Sequence, residues 1–211
     1  MHDVEIRCVN YVKRVDLHIG NEPDAWKLAH KLGLTIEPGD ENGLSGKTIT
    51  VQHHLDRTSQ AQPIIRHEIG HSLLQLSNTE DEIFNPWNSC EQGLPSIEKL
   101  CHHAALILHI EDRHLEQAHN EHGNTPEAIV RIADLAEVSV VDALHRWVYA
   151  WVVGRRAAWI IRGRRLVEIA RSNDWLPFWL HSEVQDPREE LPNAILQPLE
   201  GKDVMGVACR A

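Results

Sequence analysis

From Ile64 to Leu76 the apolar residues Ile64, Ile65, Ile69, Leu73, Leu74 and Leu76 recur at near-helical spacing, and Pro63 suits a first helical turn. Asn21 to Gly33 predicts an earlier helix. Asn21 or Glu22 opens it, Pro23 sits in its first turn, Ala25, Leu28, Ala29 and Leu32 line one face, and Gly33 supplies the stop. Leu34-Thr35-Ile36 and Lys47 to Val51 read as a hairpin-like pair of short strands, with Pro38 to Gly43 as the loop between them. Residues 4–19 fit helix and strand equally. Residues 77–95 are rich in turn formers and read as loop, after which Ser96 opens a helix from Ile97 to His109 or beyond.

A helical pair follows. Thr125 caps and Pro126 starts the first helix, whose apolar face is Ile129, Ile132, Ala133 and Ala136. Glu137-Val138 turns the chain. Ser139, with Asp142 three residues on, caps a second helix carrying Val140, Ala143, Leu144, Trp147, Val148 and Trp151. So tight a turn reads as helix-turn-helix-like. Beyond Gly154, Ala157 to Ile161 and Leu166 to Ala170 suggest a β-hairpin around Arg162-Gly163-Arg164. Leu176 to Leu180 adds an apolar segment, and Pro187, Pro192 and Pro198 break up the remainder. The expected organisation is a core domain over 1–124, the helix pair over 125–154 and a small β-containing appendage over 155–211.

Composition narrows the class. A hydrophobic content of 42% and a charged content of 25% are those of a soluble globular protein. The net charge of -10 disfavours a broad grip on nucleic acid, although a local basic patch remains possible at Arg155, Arg156, Arg162, Arg164 and Arg165. The simplest expectation for that patch is a solvated face of a strand pair. No run approaches the ~18 apolar residues of a membrane span, and Met1 to Glu5 leads into mixed polar sequence without a signal-peptide core. Cys8, Cys90, Cys101 and Cys209 are widely spaced, as free thiols of a cytoplasmic protein would be. A separate metal site from Cys90, Cys101, His102 and His103 has no specific spacing to support it, and core packing is the expectation.

The chemistry sits in the first helix described. His67-Glu68-Ile69-Gly70-His71 is a His-Glu-x-x-His pattern, and on a helix two histidines four apart project from one face. Two imidazoles there can hold zinc while Glu68 reaches a water. With 15 histidines in the chain the pattern also arises by chance, so the surrounding helix matters. Gly70 in its interior costs up to ~1 kcal/mol relative to alanine, which suggests that a neighbouring backbone must come close. A catalytic zinc takes three protein ligands and keeps one position open. The extended pattern that supplies a third histidine is absent, because Leu74 and Ser77 stand at its positions. Glu98, at the start of the later helix, is the best third candidate, and Glu91, Glu80, Glu82 and His102 are weaker ones.

Together, His67 to Leu74, Glu98 to Leu108 and the pair from Ile132 to Trp147 resemble the ImmA/IrrE family of zinc metallopeptidases. Leu28 to Leu34 and Gly43 to Gly46 are similar to that family's approach to its metal helix, and the likeness spans about residues 23–152. The resemblance implies an α+β, zincin-like fold with His67, His71 and Glu98 as ligands of zinc or another divalent metal, and Glu68 as general base. Where the family has an asparagine or aspartate one turn after the glutamate ligand, this chain has His102. A group there orients a ligand imidazole or approaches the metal itself.

The implied activity is that of a cytoplasmic zinc endopeptidase. Its implied substrate is a helix-turn-helix transcriptional repressor, cut in stress or mobile-element control. The alternative expectation is a non-cleaving regulator that binds DNA or a repressor through residues 125–152, with DNA contact disfavoured by the acidic charge.

Overall fold

The computed structural model describes residues 3–55, 58–78, 83, 90–150, 155–172 and 176–210. The chain folds as two compact units, Met1–His109 and Ile110–Ala211. Both helices and strands are present, in an α+β arrangement with two separate sheets.

In the first unit the ambiguous N-terminal stretch is a helix, α1 (Asp3–Ile19). Cys8, Val9 and Val12 are buried, with Val15 and Ile19 packed against the same core, and this spacing is helical. The next helix, α2 (Ala25–Lys31), starts later than its proline suggests because Asp24 caps it, accepting from the Lys27 amide at 3.1 Å. Three strands follow: β1 (Thr35–Gly39), β2 (Gly43–Ser45) and β3 (Thr48–Gln52). They lie in the order β1-β3-β2, with β1 parallel and β2 antiparallel to β3. The expected hairpin of two strands is therefore a three-stranded sheet, and its first and last strands run parallel. Pro38 fits because β1 is an edge strand, where a missing donor costs least. Ile49 and Val51 of β3 point into the core.

The core is closed by α3 (Ala61–Leu76) and α4 (Cys90–Ile107), which pack directly on one another. α3 buries Ile65, Ile69, Leu73 and Leu74, and α4 buries Ile97, Leu100, Cys101 and Ala104. α4 begins six residues before the expected cap at Ser96 and carries Pro95 inside it. Pro95 lies in the second turn, so it removes the bond that its amide would make to residue 91 and its ring crowds that carbonyl, a cost that the packing of the rest of α4 on α3 offsets. Other turn formers between 79 and 89 lie outside the described residues.

In the second unit, α5 (Asp112–His122), α6 (Pro126–Ala136) and α7 (Val140–Tyr149) precede a four-stranded antiparallel sheet. Its strands are β4 (Arg155–Arg162), β5 (Arg165–Ser172), β6 (Ile195–Pro198) and β7 (Asp203–Arg210), in the order β5-β4-β7-β6. A short helix, α8 (Pro187–Glu190), lies between β5 and β6. The turn between α6 and α7 uses Glu137 at φ 53°, and Ser139 caps α7 by accepting from the Asp142 amide at 3.0 Å.

The second unit, which starts at Ile110, contains α5, the helix pair and the four-stranded sheet. Packing joins them: α5 rests on α6, while α7 lies against β4 and β5. The Arg156 guanidinium sits 4.8 Å from the Trp147 ring centroid, and His145 Nε2 is 3.1 Å from Glu168 Oε1. β6 and β7 were not expected from the proline-punctuated remainder. Gly206 in β7 is required by its neighbour, since a Cβ there would stand 2.3 Å from the Trp159 ring.

Candidate metal centre

α3 places His67 and His71 one turn apart, and the close packing of α4 brings Glu98 opposite both. His67 Nε2 is 3.1 Å from Glu98 Oε2, and His71 Nε2 is 3.5 Å from Glu98 Oε1. The two imidazole rings stand 5.0 Å apart, nearly perpendicular at 75°. One candidate ligand atom from each of the three residues lies within 4.8 Å of the others.

Those separations fit a small cation. Zinc bonds to nitrogen and oxygen are about 2.0–2.2 Å long, so adjacent ligands of a tetrahedral ion stand about 3.4 Å apart. The two histidine–carboxylate distances bracket that value. The donor set of two neutral imidazoles and one carboxylate also suits zinc, and three ligands leave a coordination position for water or substrate. Glu98 is 58% exposed, so the cluster opens to solvent.

Glu68 has a different environment. It is 8% exposed, and burial raises its carboxyl above the usual carboxylate range. His71 and then His67 oppose that rise, and Glu98 adds to it. A raised carboxyl pKa is the direction that proton uptake near neutral pH requires.

Two further residues position α3. Arg66, fully buried, donates from Nη1 to Gln62 Oε1 at 3.1 Å and from Nη2 to the Pro23 carbonyl oxygen. The same Gln62 oxygen accepts from the Ala25 amide at 2.8 Å, satisfying a donor at the start of α2. Neither residue was expected from the sequence, although a charged residue between Ile65 and Ile69 on an otherwise apolar stretch was the available signal. Gly70 answers the expectation of close approach. A Cβ there would be 2.9 Å from the Cys101 carbonyl oxygen and 3.3 Å from Ala104 Cβ.

His102 is not a member of the three-residue cluster; its ring lies 6.4 Å from that of His103. Cys101 is a core residue, wholly buried against α3. Among the other third-ligand candidates, Glu80, Glu82 and the side chain of Glu91 lie outside the described residues. Tyr149, a chemically suitable oxyanion partner, belongs to the second unit and stacks on His145 at 6.2 Å.

Comparison with known proteins finds no matching family model and no matching curated protein. Among solved structures, a Mycobacterium tuberculosis transcriptional regulator aligns with a TM-score of 0.54 at 10% identity, over 99% of this chain and 77% of that one. At that identity the likeness is one of fold. Among the described residues, no helix is long and apolar enough to cross a membrane.

Proposed function

We propose that the protein is a cytoplasmic zinc-dependent endopeptidase of zincin-like fold whose centre is His67, His71 and Glu98, with Glu68 as general base. The observation that carries this reading is the placement of the two Glu98 oxygens at 3.1 and 3.5 Å from two imidazoles on one helix face. A divalent metal held there would polarise a scissile carbonyl and make a water acidic enough to attack it. Glu68 accepts the proton that the attacking water gives up as its oxygen bonds to the carbonyl carbon. As the carbon–nitrogen bond breaks, Glu68 delivers that proton to the departing amine. The partly exposed carboxylate of Glu98 leaves the cluster accessible to a polypeptide. By resemblance the substrate is a helix-turn-helix repressor, cleaved to relieve repression.

The rival reading is a non-cleaving regulator acting through the helix pair. Recognition by such a pair needs basic or polar side chains on the outer face of its second helix. In α7 the one arginine, Arg146, is buried and donates to the Ile110 carbonyl oxygen at 3.1 Å and to Asp112. The helix lies against the sheet rather than presenting a basic face, which favours the peptidase.

The deciding experiment compares zinc-loaded wild type with Glu68→Gln on a candidate repressor, preferably one encoded nearby. The variant is expected to hold zinc and to lose cleavage. Cleavage by the zinc-loaded variant at the wild-type rate would remove Glu68 from the reaction.

A further inference from the structure

Residues 155–172 carry six arginines and one glutamate in a chain of net charge -10. Arg156 packs over Trp147, and Arg162 pairs with Asp203 through Nη2 at 2.9 Å. The glutamate, Glu168, is engaged by His145. Arg165 and Arg171 are exposed on β5, which is an edge strand, and Arg164 is exposed in the turn just before it. The chain beyond β5 returns along that edge. The Leu166 amide donates to the Ser182 carbonyl at 3.0 Å, the His181 amide to Leu166 at 2.9 Å and the Val184 amide to Arg164 at 2.8 Å. At the other end of the strand, the Arg171 guanidinium lies 5.7 Å from the Trp179 ring centroid.

The result is a ridge with cations at both ends. Arg164 and Arg165 mark one end and Arg171 the other, with Arg165 and Arg171 about 20 Å apart at ~3.3 Å per strand residue. Trp179, 63% exposed, lies against Arg171, and Leu180, 47% exposed, and His181 lead from it toward Leu166 at the other end. Glu183, in register with Arg165, is an exposed acid on the same edge.

We propose that this edge binds single-stranded nucleic acid, with phosphates on the arginines and a base stacked on Trp179. Large exposed aromatics beside guanidinium groups form a stacking platform that accepts any base, while the flanking cations follow the backbone. An extended polyanion matches charges set at both ends of a line. A membrane surface matches them less well, because the ring that would enter the bilayer carries a guanidinium against it. Duplex DNA offers no unstacked base to Trp179. This inference is independent of the peptidase reading.

The test is fluorescence anisotropy of a labelled 15-nucleotide oligothymidine titrated with the full chain over a series of salt concentrations. Trp179→Ala is expected to weaken binding about tenfold at constant salt, and Trp179→Phe to restore most of it. Arg171→Ala and Arg164→Ala are each expected to flatten the salt dependence by about 0.7 in log–log slope. Arg113→Ala, a charge change elsewhere in the second unit, is expected to leave binding unchanged. Circular dichroism establishes that each variant is folded. The proposal is overturned if the folded variants bind like wild type, if Arg113→Ala weakens binding as much as Arg171→Ala, or if a duplex of equal length binds as tightly. Binding to phosphatidylserine vesicles without binding to the oligonucleotide also overturns it.

Discussion

Gly70 and Cys101 meet at the crossing of α3 and α4, where a Cβ on residue 70 would stand 2.9 Å from the Cys101 carbonyl oxygen and 3.1 Å from its Cα. Three residues earlier on each helix, His67 and Glu98 are 3.1 Å apart. The closeness of the backbones therefore sets the reach of the carboxylate to the imidazoles. Gly70→Ala opposes two effects. Alanine gains up to ~1 kcal/mol in helix propensity, but overpacking against backbone costs about 1–3 kcal/mol. Net destabilisation is expected, together with a zinc affinity lowered by about tenfold as Glu98 moves away. Denaturant unfolding and a chelator-competition titration measure both; a variant as stable and as zinc-avid as wild type would separate the crossing from the site.

Glu98→Ala separates metal binding from folding. The side chain is more than half exposed, so its removal is expected to change metal-free stability by no more than about 0.5 kcal/mol. Zinc affinity is expected to fall by about a hundredfold or more, since even groups that only orient ligands contribute 10- to 100-fold. Unchanged zinc affinity would remove Glu98 from the centre and direct attention to Glu80, Glu82 or Glu91.

Glu68→Gln is expected to stabilise the metal-free protein near pH 8 while abolishing cleavage. The sign follows from burial. The folded-state pKa of Glu68 is raised above its unfolded value, so the folded protein takes up a proton more readily than the unfolded chain. Its ionised form therefore destabilises the fold at high pH. That penalty fades as pH falls through the folded pKa and vanishes below the unfolded one. The advantage of the variant should shrink in parallel. A pH-independent difference, read from urea midpoints between pH 4 and 8, would show that packing rather than charge governs the site.

The helix that carries the candidate ligands was legible because its information is local: His67 and His71 are fixed relative to one another by helical pitch. Glu98 could be nominated but not placed, since the 2.9 Å approach at Gly70 depends on how two distant segments pack. Punctuation misled in two places. Pro95 looked like a boundary yet lies within α4, and Pro198 looked like a break yet ends the edge strand β6, where no donor is needed. The parallel pairing of β1 with β3 was hidden because strand direction is a non-local choice; the short apolar runs identify strands without naming their partners. Arg66 was overlooked because its burial depends on the Pro23 carbonyl, which lies 43 residues away in the chain.

Arg66 supplies the last prediction. Arg66→Met removes the donors that Gln62 and the Pro23 carbonyl accept and leaves two buried or half-buried acceptors with one partner fewer. The expected cost is about 2–4 kcal/mol, because lost bonds to a buried charge outweigh the relief of no longer burying the guanidinium. Zinc should then act as a ligand of the folded state alone, adding about 2.7 kcal/mol at a hundredfold excess over its Kd. Saturating zinc is thus expected to raise the denaturant midpoint of wild type and of Arg66→Met by similar increments, but to leave Glu98→Ala nearly unmoved. Equal zinc increments in all three proteins would place the ion somewhere other than His67, His71 and Glu98, whereas an increment lost only in Arg66→Met would make Arg66 a condition of the site's geometry rather than of stability alone.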